Sequence, residues 1–302
     1  MTPDVMKIAA AAYPIDRFDD WSGYEAKLTA WVAEAAGQGA DLLVFPEYGA
    51  MELAMLDGAA AAAGLEASLV AVSARIGQAS ALHARLARDH GVHILGASAP
   101  VWQGARPVNR ARLFGPQGEV AHQDKQIMTR FEREEWDVHP GGGLALFDTA
   151  LGRIGVLICY DCQFPLLARA LIEAGAEILL VPSCTDTLAG YWRVRVGAMA
   201  RALEGQCVVV QSPTVGAAPW CPAVDVNIGA AAIYGPPDAG FPPTGILAEG
   251  ALNAPGWVYA EIDRAAIARV RAAGQVLNRA HWPEQSLRSA PVARVPFHAF
   301  TT

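Results

Sequence analysis

The chain carries the same short phrase twice, and this constrains its fold more than any other feature. Residues 39–47 read GADLLVFPE and residues 175–183 read GAEILLVPS. Each phrase opens on Gly-Ala-acid, continues through four apolar residues and reaches a proline near its end. Upstream of the first, Tyr24, Leu28, Trp31, Val32 and Ala35 recur at helical spacing, and upstream of the second Leu167, Ala170, Leu171 and Ala174 do the same. The glycine reads as a helix stop in both. The likeness continues: GVHILGAS (91–98) follows a helix-like stretch at 75–90, and GQCVVVQS (205–212) follows another at 191–204. The spacing predicts two copies of a helix–strand–helix–strand unit, the first with extra residues at roughly 50–74. The strands are apolar on both faces, as expected for sheets covered on both sides. The alternative to a duplication is the chance resemblance that α/β units bear to one another.

Between the copies, ARLF, the turn GPQGE and VAHQDK predict a hairpin. LALFDT (144–149) and RIGVLIC (153–159) predict a second, and WVYAEID (257–263) a further strand. The Pro- and Gly-rich stretch 213–256 reads as long surface loops around one strand. No sharp linker divides the 302 residues, so we expect one domain over 1–302, with a core at about 5–275 and a C-terminal arm from about 276. The arm, RSAPVARVPFHAF, would pack on another subunit or fold back on its own chain.

A net charge of −7 and the lack of a Lys- or Arg-rich run argue against nucleic acid or an anionic membrane as partner. The N-terminus lacks a basic start followed by an apolar signal core. The alanine-rich stretch 58–74 is interrupted by Glu66 and Ser68, and reads as a helix but not a membrane span. Five cysteines without a repeated spacing read as reduced thiols, which suits the cytoplasm.

The chemistry centres on GVLICYDCQFP (155–165), where an apolar run ends in Cys159 and Cys162. The pair could be a redox dithiol, half of a metal site, a nucleophile beside an inert neighbour, or simply small buried residues. A nucleophilic thiol needs a base for its proton and a cation or amide dipoles for the oxyanion. Glu47, beyond Pro46 at the end of its strand, and Lys125, at the end of the hairpin strand, are the polar residues placed to help. Either alone would ordinarily be a solvated side chain.

Together these segments resemble the nitrilase, or carbon–nitrogen hydrolase, superfamily. The resemblance rests on LLVFPE with Glu47, HQDKQI with Lys125 and GVLICYDCQFP with Cys159. ILLVPSC (178–184), ARALEGQCVVVQS (200–212) and VYAEID (258–263) extend it to roughly residues 5–275. It implies a four-layer α-β-β-α sandwich with one repeat copy per sheet, and a homodimer or higher oligomer paired through outer helices. Glu47 would be the general base, Cys159 the nucleophile, and Lys125 with the Tyr160 backbone N–H the oxyanion donors. No cofactor or metal is implied, and Cys162 becomes a bystander. Many members add a second glutamate near the lysine. Counting back from Trp136 and from Pro140–Gly141 selects Glu134, with Glu132 as the fallback. Tyr48, Trp136 and Ser183 are the substrate-binding candidates.

The pattern has departures. Leu166 stands where the family often has Glu after Phe-Pro. An Arg pair found in some carbamoyl hydrolases is Cys162–Gln163 here. Cys-Tyr-Asp replaces the Cys-Trp-Glu of true nitrilases. The resemblance therefore implies an amidase or carbamoyl amidohydrolase acting on a small amide. A nitrilase, or a non-catalytic oligomeric scaffold of the same fold, is the alternative. The acids of FEREEWD (131–137) further suggest an amine-bearing substrate.

Overall fold

Gly39, with φ of 78°, and Gly175, with φ of 112°, stand just past the first helix of each repeat, in backbone that side chains rarely adopt. Their N–H groups cap Ala36 O at 2.8 Å and Ile172 O at 3.0 Å, and both chains then turn directly into strands. The computed structural model describes residues 5–289, 291, 292 and 294. The first repeat runs β1 (Val5–Pro14), α1 (Trp21–Gly37), β2 (Leu42–Val44), α2 (Ala59–Ala63), α3 (Leu65–His90) and β3 (His93–Leu95). Next come β4 (Ala99–Gln103), β5 (Arg106–Phe114), β6 (Val120–Asp124) and α4 (Arg130–Glu134). The second repeat runs β7 (Leu146–Thr149), β8 (Gly152–Val156), α5 (Pro165–Glu173), β9 (Ile178–Ser183), α6 (Leu188–Gly205) and β10 (Val208–Ala217). The chain continues with β11 (Val226–Asn227), β12 (Ala232–Tyr234), β13 (Ile246–Glu249), β14 (Gly256–Asp263), α7 (Arg264–Ala273) and α8 (Asn278–His281).

The two copies are therefore matched element by element. β1, β2 and β3 lie side by side and parallel, as do β8, β9 and β10. Each trio gains antiparallel neighbours: β14, β5, β4 and β6 in the first sheet, β7, β12 and β13 in the second. The sheets join where β1 meets β10, at Tyr13↔Thr214 and Pro14↔Val215. Alternation along β1 builds the layers. Met6, Ile8, Ala10 and Ala12 face the core shared with the second sheet, while Ala9, Ala11 and Tyr13 face the core under α1 and α3. On the far side, Ala168 and Leu171 of α5 and Val194 and Ala198 of α6 complete the shared core. The order is α-β-β-α, and both sheets are curled and covered.

The extra residues of the first copy form a 3-10 stretch (Gly49–Asp57), α2 and a break at Gly64, so α3 begins ten residues before the predicted start at 75. The stretch 213–256 holds more strand than expected: the end of β10, then β11, β12 and β13. Apart from β10, these are two to four residues long and take their pairing from β10 and from each other, which local pattern does not reveal. Within the predicted arm, α8 packs near the end of α6, where Gln206 Nε2 donates to Val276 O at 3.0 Å. The rest of the arm, from 295, lies outside the described residues. Among the described residues no helix is long and apolar enough to cross a membrane.

Candidate active site

Three chain segments bring their ends to one place. Glu47 lies three residues beyond β2, where Pro46 provides no N–H and the ladder stops. Lys125 follows β6 directly, and its N–H donates to Asn109 O on β5 at 2.9 Å. Cys159 stands three residues beyond β8 and opens a 3-10 turn, Cys159–Gln163. Cys159 and Tyr48 both hold left-handed backbone, with φ of 48° and 53°. Such strain in a non-glycine residue persists only where the surroundings over-determine it, and it gathers at functional sites.

The side chains converge on the lysine. Lys125 Nζ donates to Glu47 Oε1 at 2.7 Å and to Glu132 Oε2 at 2.6 Å, with all three side chains almost wholly buried. Glu47 Oε1 also accepts from Asn109 Nδ2 at 2.9 Å, and Oε2 from the Cys184 N–H at 2.9 Å. The carbonyl of the same Cys184 lies 3.8 Å from Cys159 Sγ and accepts from the thiol. Residue 184 thus spans the base and the thiol.

Their environments separate the two carboxylates. Burial pushes Glu47 up to about 7; the neighbouring Lys125 opposes this, and Glu132 adds to the rise. Burial acts on Glu132 as well, but Lys125, the Thr129 N–H and Tyr48 outweigh it and hold Glu132 below the usual carboxylate range. Burial works against the charge on Lys125, yet the two glutamates raise it well above an ordinary lysine. Burial and then Glu47 push the Cys159 thiol up, with Lys125 offsetting only part of this. The resting arrangement is an ionised Lys125–Glu132 pair, a carboxyl poised near neutrality and a protonated thiol. Two carboxylates pushed apart in this way can divide acid–base work from charge stabilisation.

The second glutamate that the structure brings to Lys125 is Glu132, not Glu134. Glu134 is exposed at the end of α4 and pairs with Arg130 at 2.7 Å, away from Lys125. Glu132 belongs to a capping box with Thr129, which turns its carboxylate back toward the helix start and hence toward Lys125. The Thr-x-x-Glu spacing at 129–132 is the sequence signal that distinguishes the two; the count from Trp136 took no account of it.

The other candidates have structural partners. The Tyr48 hydroxyl donates to Glu132 Oε1 at 2.7 Å. Trp136 is buried against Tyr48, with ring centroids 4.8 Å apart, and its Nε1 donates to Leu65 O. Ser183 is buried and its hydroxyl has no partner. All three side chains are buried, as are those of Glu47, Lys125 and Cys159. The Tyr160 N–H lies in the first turn of the 3-10 segment, where backbone donors lack intrahelical acceptors. Of the acids of 131–137, Glu132 is buried, Glu134 pairs with Arg130 and Asp137 with Arg106 at 2.9 Å, while Glu134, Glu135 and Asp137 are exposed.

Two supports had no sequence signal. Asp161, buried and pushed up to about 6 by burial, accepts from the N–H groups of Gln126 at 3.1 Å and Ile127 at 2.9 Å. It ties the thiol's turn to the loop that follows Lys125. Ser98 Oγ accepts from the Tyr48 N–H at 3.0 Å and donates to Asn109 Oδ1 at 2.6 Å. Cys162 is buried and its thiol reaches Val194 O, so it faces away as a packing residue.

Known proteins match both the sequence and the fold. "Probable hydrolase YhcX" of Bacillus subtilis (strain 168) is 37% identical over 191 residues, 63% of this chain and 37% of that protein. "Deaminated glutathione amidase" of Yersinia enterocolitica is 36% identical over 147 residues, 43% of this chain and 50% of that one. The match thus spans half or less of each of these two relatives. In fold, the chain is similar to Saccharomyces cerevisiae Nit3, a member of branch 10 of the nitrilase superfamily, with a TM-score of 0.70 and 21% identity over 89% of this chain and 94% of that one. The carbon–nitrogen hydrolase family profile matches residues 7–272. With that match across nearly the whole chain, on the sandwich described above, the protein belongs to the carbon–nitrogen hydrolase family.

Proposed function

We propose that the protein is a thiol-dependent amidase that cleaves a small linear amide through a thioester on Cys159. One observation carries this reading: Lys125 Nζ lies between Glu47 and Glu132, at 2.7 and 2.6 Å, beside a thiol that hydrogen-bonds to the residue holding Glu47. Glu47 takes the thiol proton as sulfur attacks the amide carbon. Lys125 Nζ and the Tyr160 N–H stabilise the oxyanion, where charge develops. Protonated Glu47 passes its proton to the nitrogen, the C–N bond breaks and ammonia or an amine leaves. Glu47 then takes a proton from water, hydroxide adds to the thioester, the C–S bond breaks and the acid departs. The proton returns to sulfur. Glu132 stays ionised throughout and keeps Lys125 charged.

Relatives named amidase support the amide over the nitrile. The buried Cys162 offers no carboxylate anchor, which weighs against a carbamoyl-amino-acid substrate. We further read the protein as a cytoplasmic homodimer. Trp192, Val196 and Leu203 lie exposed on α6 and Leu166 on α5, which suits pairing through these outer helices.

The test is ammonia release across a panel of small amides, carbamoyl compounds and nitriles, with mass spectrometry of the trapped enzyme. Amide turnover with an acyl adduct on Cys159, abolished in Cys159→Ala but not in Cys162→Ala, is the expected result. Turnover that survives Cys159→Ala overturns the reading, and no turnover together with an unreactive Cys159 favours a scaffold.

A further inference from the structure

The buried hydrogen bonds around Lys125 close into a ring. Glu47 Oε1 accepts from Lys125 Nζ, which also donates to Glu132 Oε2. Glu132 Oε1 accepts from the Tyr48 hydroxyl, the Tyr48 N–H donates to Ser98 Oγ, and Ser98 donates to Asn109 Oδ1. Asn109 Nδ2 returns to Glu47 Oε1 at 2.9 Å. The direction of each bond fixes the next. A hydroxyl has one proton, so a Ser98 that donates to Asn109 fixes the amide with its oxygen toward Ser98 and its NH2 toward Glu47. All six residues are buried, so a member left unpaired is costly.

Asn109 has a second hold on the site, because its backbone carbonyl accepts the Lys125 N–H at 2.9 Å. Its side chain aims the base while its main chain anchors the cation. The charged and titratable groups that face Glu47 are Lys125 at the end of β6, Glu132 on α4, Cys159 on the thiol's turn and Cys184 beyond β9. Beside these, Glu47 accepts from two neutral donors, the Cys184 N–H and the Asn109 amide.

We propose that Asn109, oriented by Ser98, is a positioning residue that aims the Glu47 carboxylate, keeps it ionised and thereby sets the pH range over which Cys159 reacts. A hydrogen bond donated to the charged form favours that form. Removing it favours protonated Glu47, so the acid limb of the reaction moves to higher pH.

The inference rests on the proposed role of Glu47 as base, and the experiment separates the two. Iodoacetamide alkylation of Cys159, located by peptide mass spectrometry, is followed against pH for the wild type, Glu47→Gln, Asn109→Asp and Ser98→Ala. This requires no knowledge of the natural amide. In Asn109→Asp the acid limb shifts upward by about one pH unit, since two carboxyl groups now share the site. The rate near neutrality falls about tenfold and recovers toward the wild-type rate at alkaline pH. Ser98→Ala gives a smaller shift in the same direction, because the amide can then turn over. A rate lowered equally at every pH, or an unmoved limb in both variants while Glu47→Gln displaces the limb, overturns the role of Asn109 alone. A limb that keeps its wild-type position in Glu47→Gln overturns Glu47 as the base, since the thiol's own ionisation is then what the limb reports. If Asn109→Asp does not fold, the Ser98→Ala limb decides: shifted supports the proposal, and unmoved refutes it.

Discussion

Replacing Glu132 by Gln removes one negative charge from the lysine's surroundings with little change in shape. The native carboxylate accepts from Lys125 Nζ at 2.6 Å, the Thr129 N–H at 2.8 Å, Thr129 Oγ1 at 2.8 Å and the Tyr48 hydroxyl at 2.7 Å. An amide can replace only part of this set. Breaking a buried, charged hydrogen bond of this kind destabilises by about 2–3 kcal/mol, less than stranding the charge outright because Glu47 still partners Lys125. For catalysis, we expect kcat to fall at least about a hundredfold, or roughly 2.7 kcal/mol, as Lys125 is drawn toward Glu47 and away from the oxyanion. The pH profile supplies a sign. Glu132 is one of the groups that raise Glu47, so its neutralisation lets Lys125 hold Glu47 further down. A base works when deprotonated, so the acid limb should move to lower pH than in the wild type, the reverse of Asn109→Asp. Glu134→Gln is the control. Its partner is the exposed Arg130, so stability should change by less than about 0.5 kcal/mol and kcat not at all. Steady-state kinetics from pH 5 to 9 and urea unfolding of both variants measure these quantities. A Glu132→Gln enzyme with normal kcat, or an acid limb displaced upward, refutes the reasoning.

Asp161→Asn should destabilise the fold by about 1–3 kcal/mol, because the neutral amide keeps one acceptor oxygen where the charged carboxylate offers two to the Gln126 and Ile127 N–H groups, and urea unfolding reads this directly. Tyr48→Phe deletes one donor to Glu132 and should cost about 1–2 kcal/mol of stability while leaving the ion pair in place, so its kcat should fall far less than that of Glu132→Gln. Pairwise combinations of Cys159→Ala, Glu47→Gln and Lys125→Ala should be little worse than the single variants, since groups that act as a unit fail together; additive losses in kcat would count against that. Val196→Glu on the exposed face of α6 should shift the protein toward monomer in light scattering while leaving the unfolding midpoint nearly unchanged.

Much of the architecture was legible in the sequence because its signals are local. The two phrases at 39–47 and 175–183 mark helix stop, strand and strand end by residue type alone, and both copies fold as the spacing predicts. Glu47, Lys125 and Cys159 were legible for the same reason: each is a polar residue standing where an apolar run ends. The β11–β13 region was not, because strands of two to four residues gain their identity from the strand they pair with. The choice between Glu132 and Glu134 had a local signal in the Thr-x-x-Glu spacing at 129–132, which the fold makes decisive. Two residues apart on a single helical turn, they project in different directions, and the Thr129 cap turns Glu132 toward Lys125 while Glu134 pairs with Arg130. Ser98 and Asn109 lay hidden longest. Their role consists of two hydrogen bonds, one to the residue after the base and one to the base itself, 50 and 62 positions away along the chain. Such contacts arise from the pairing of β5 with β3 and the close approach of the loop after β2, and no local pattern records them. The sequence alone marks Glu47, Lys125 and Cys159; the tertiary structure decides which neighbours raise the Glu47 carboxyl and which hold Glu132 down.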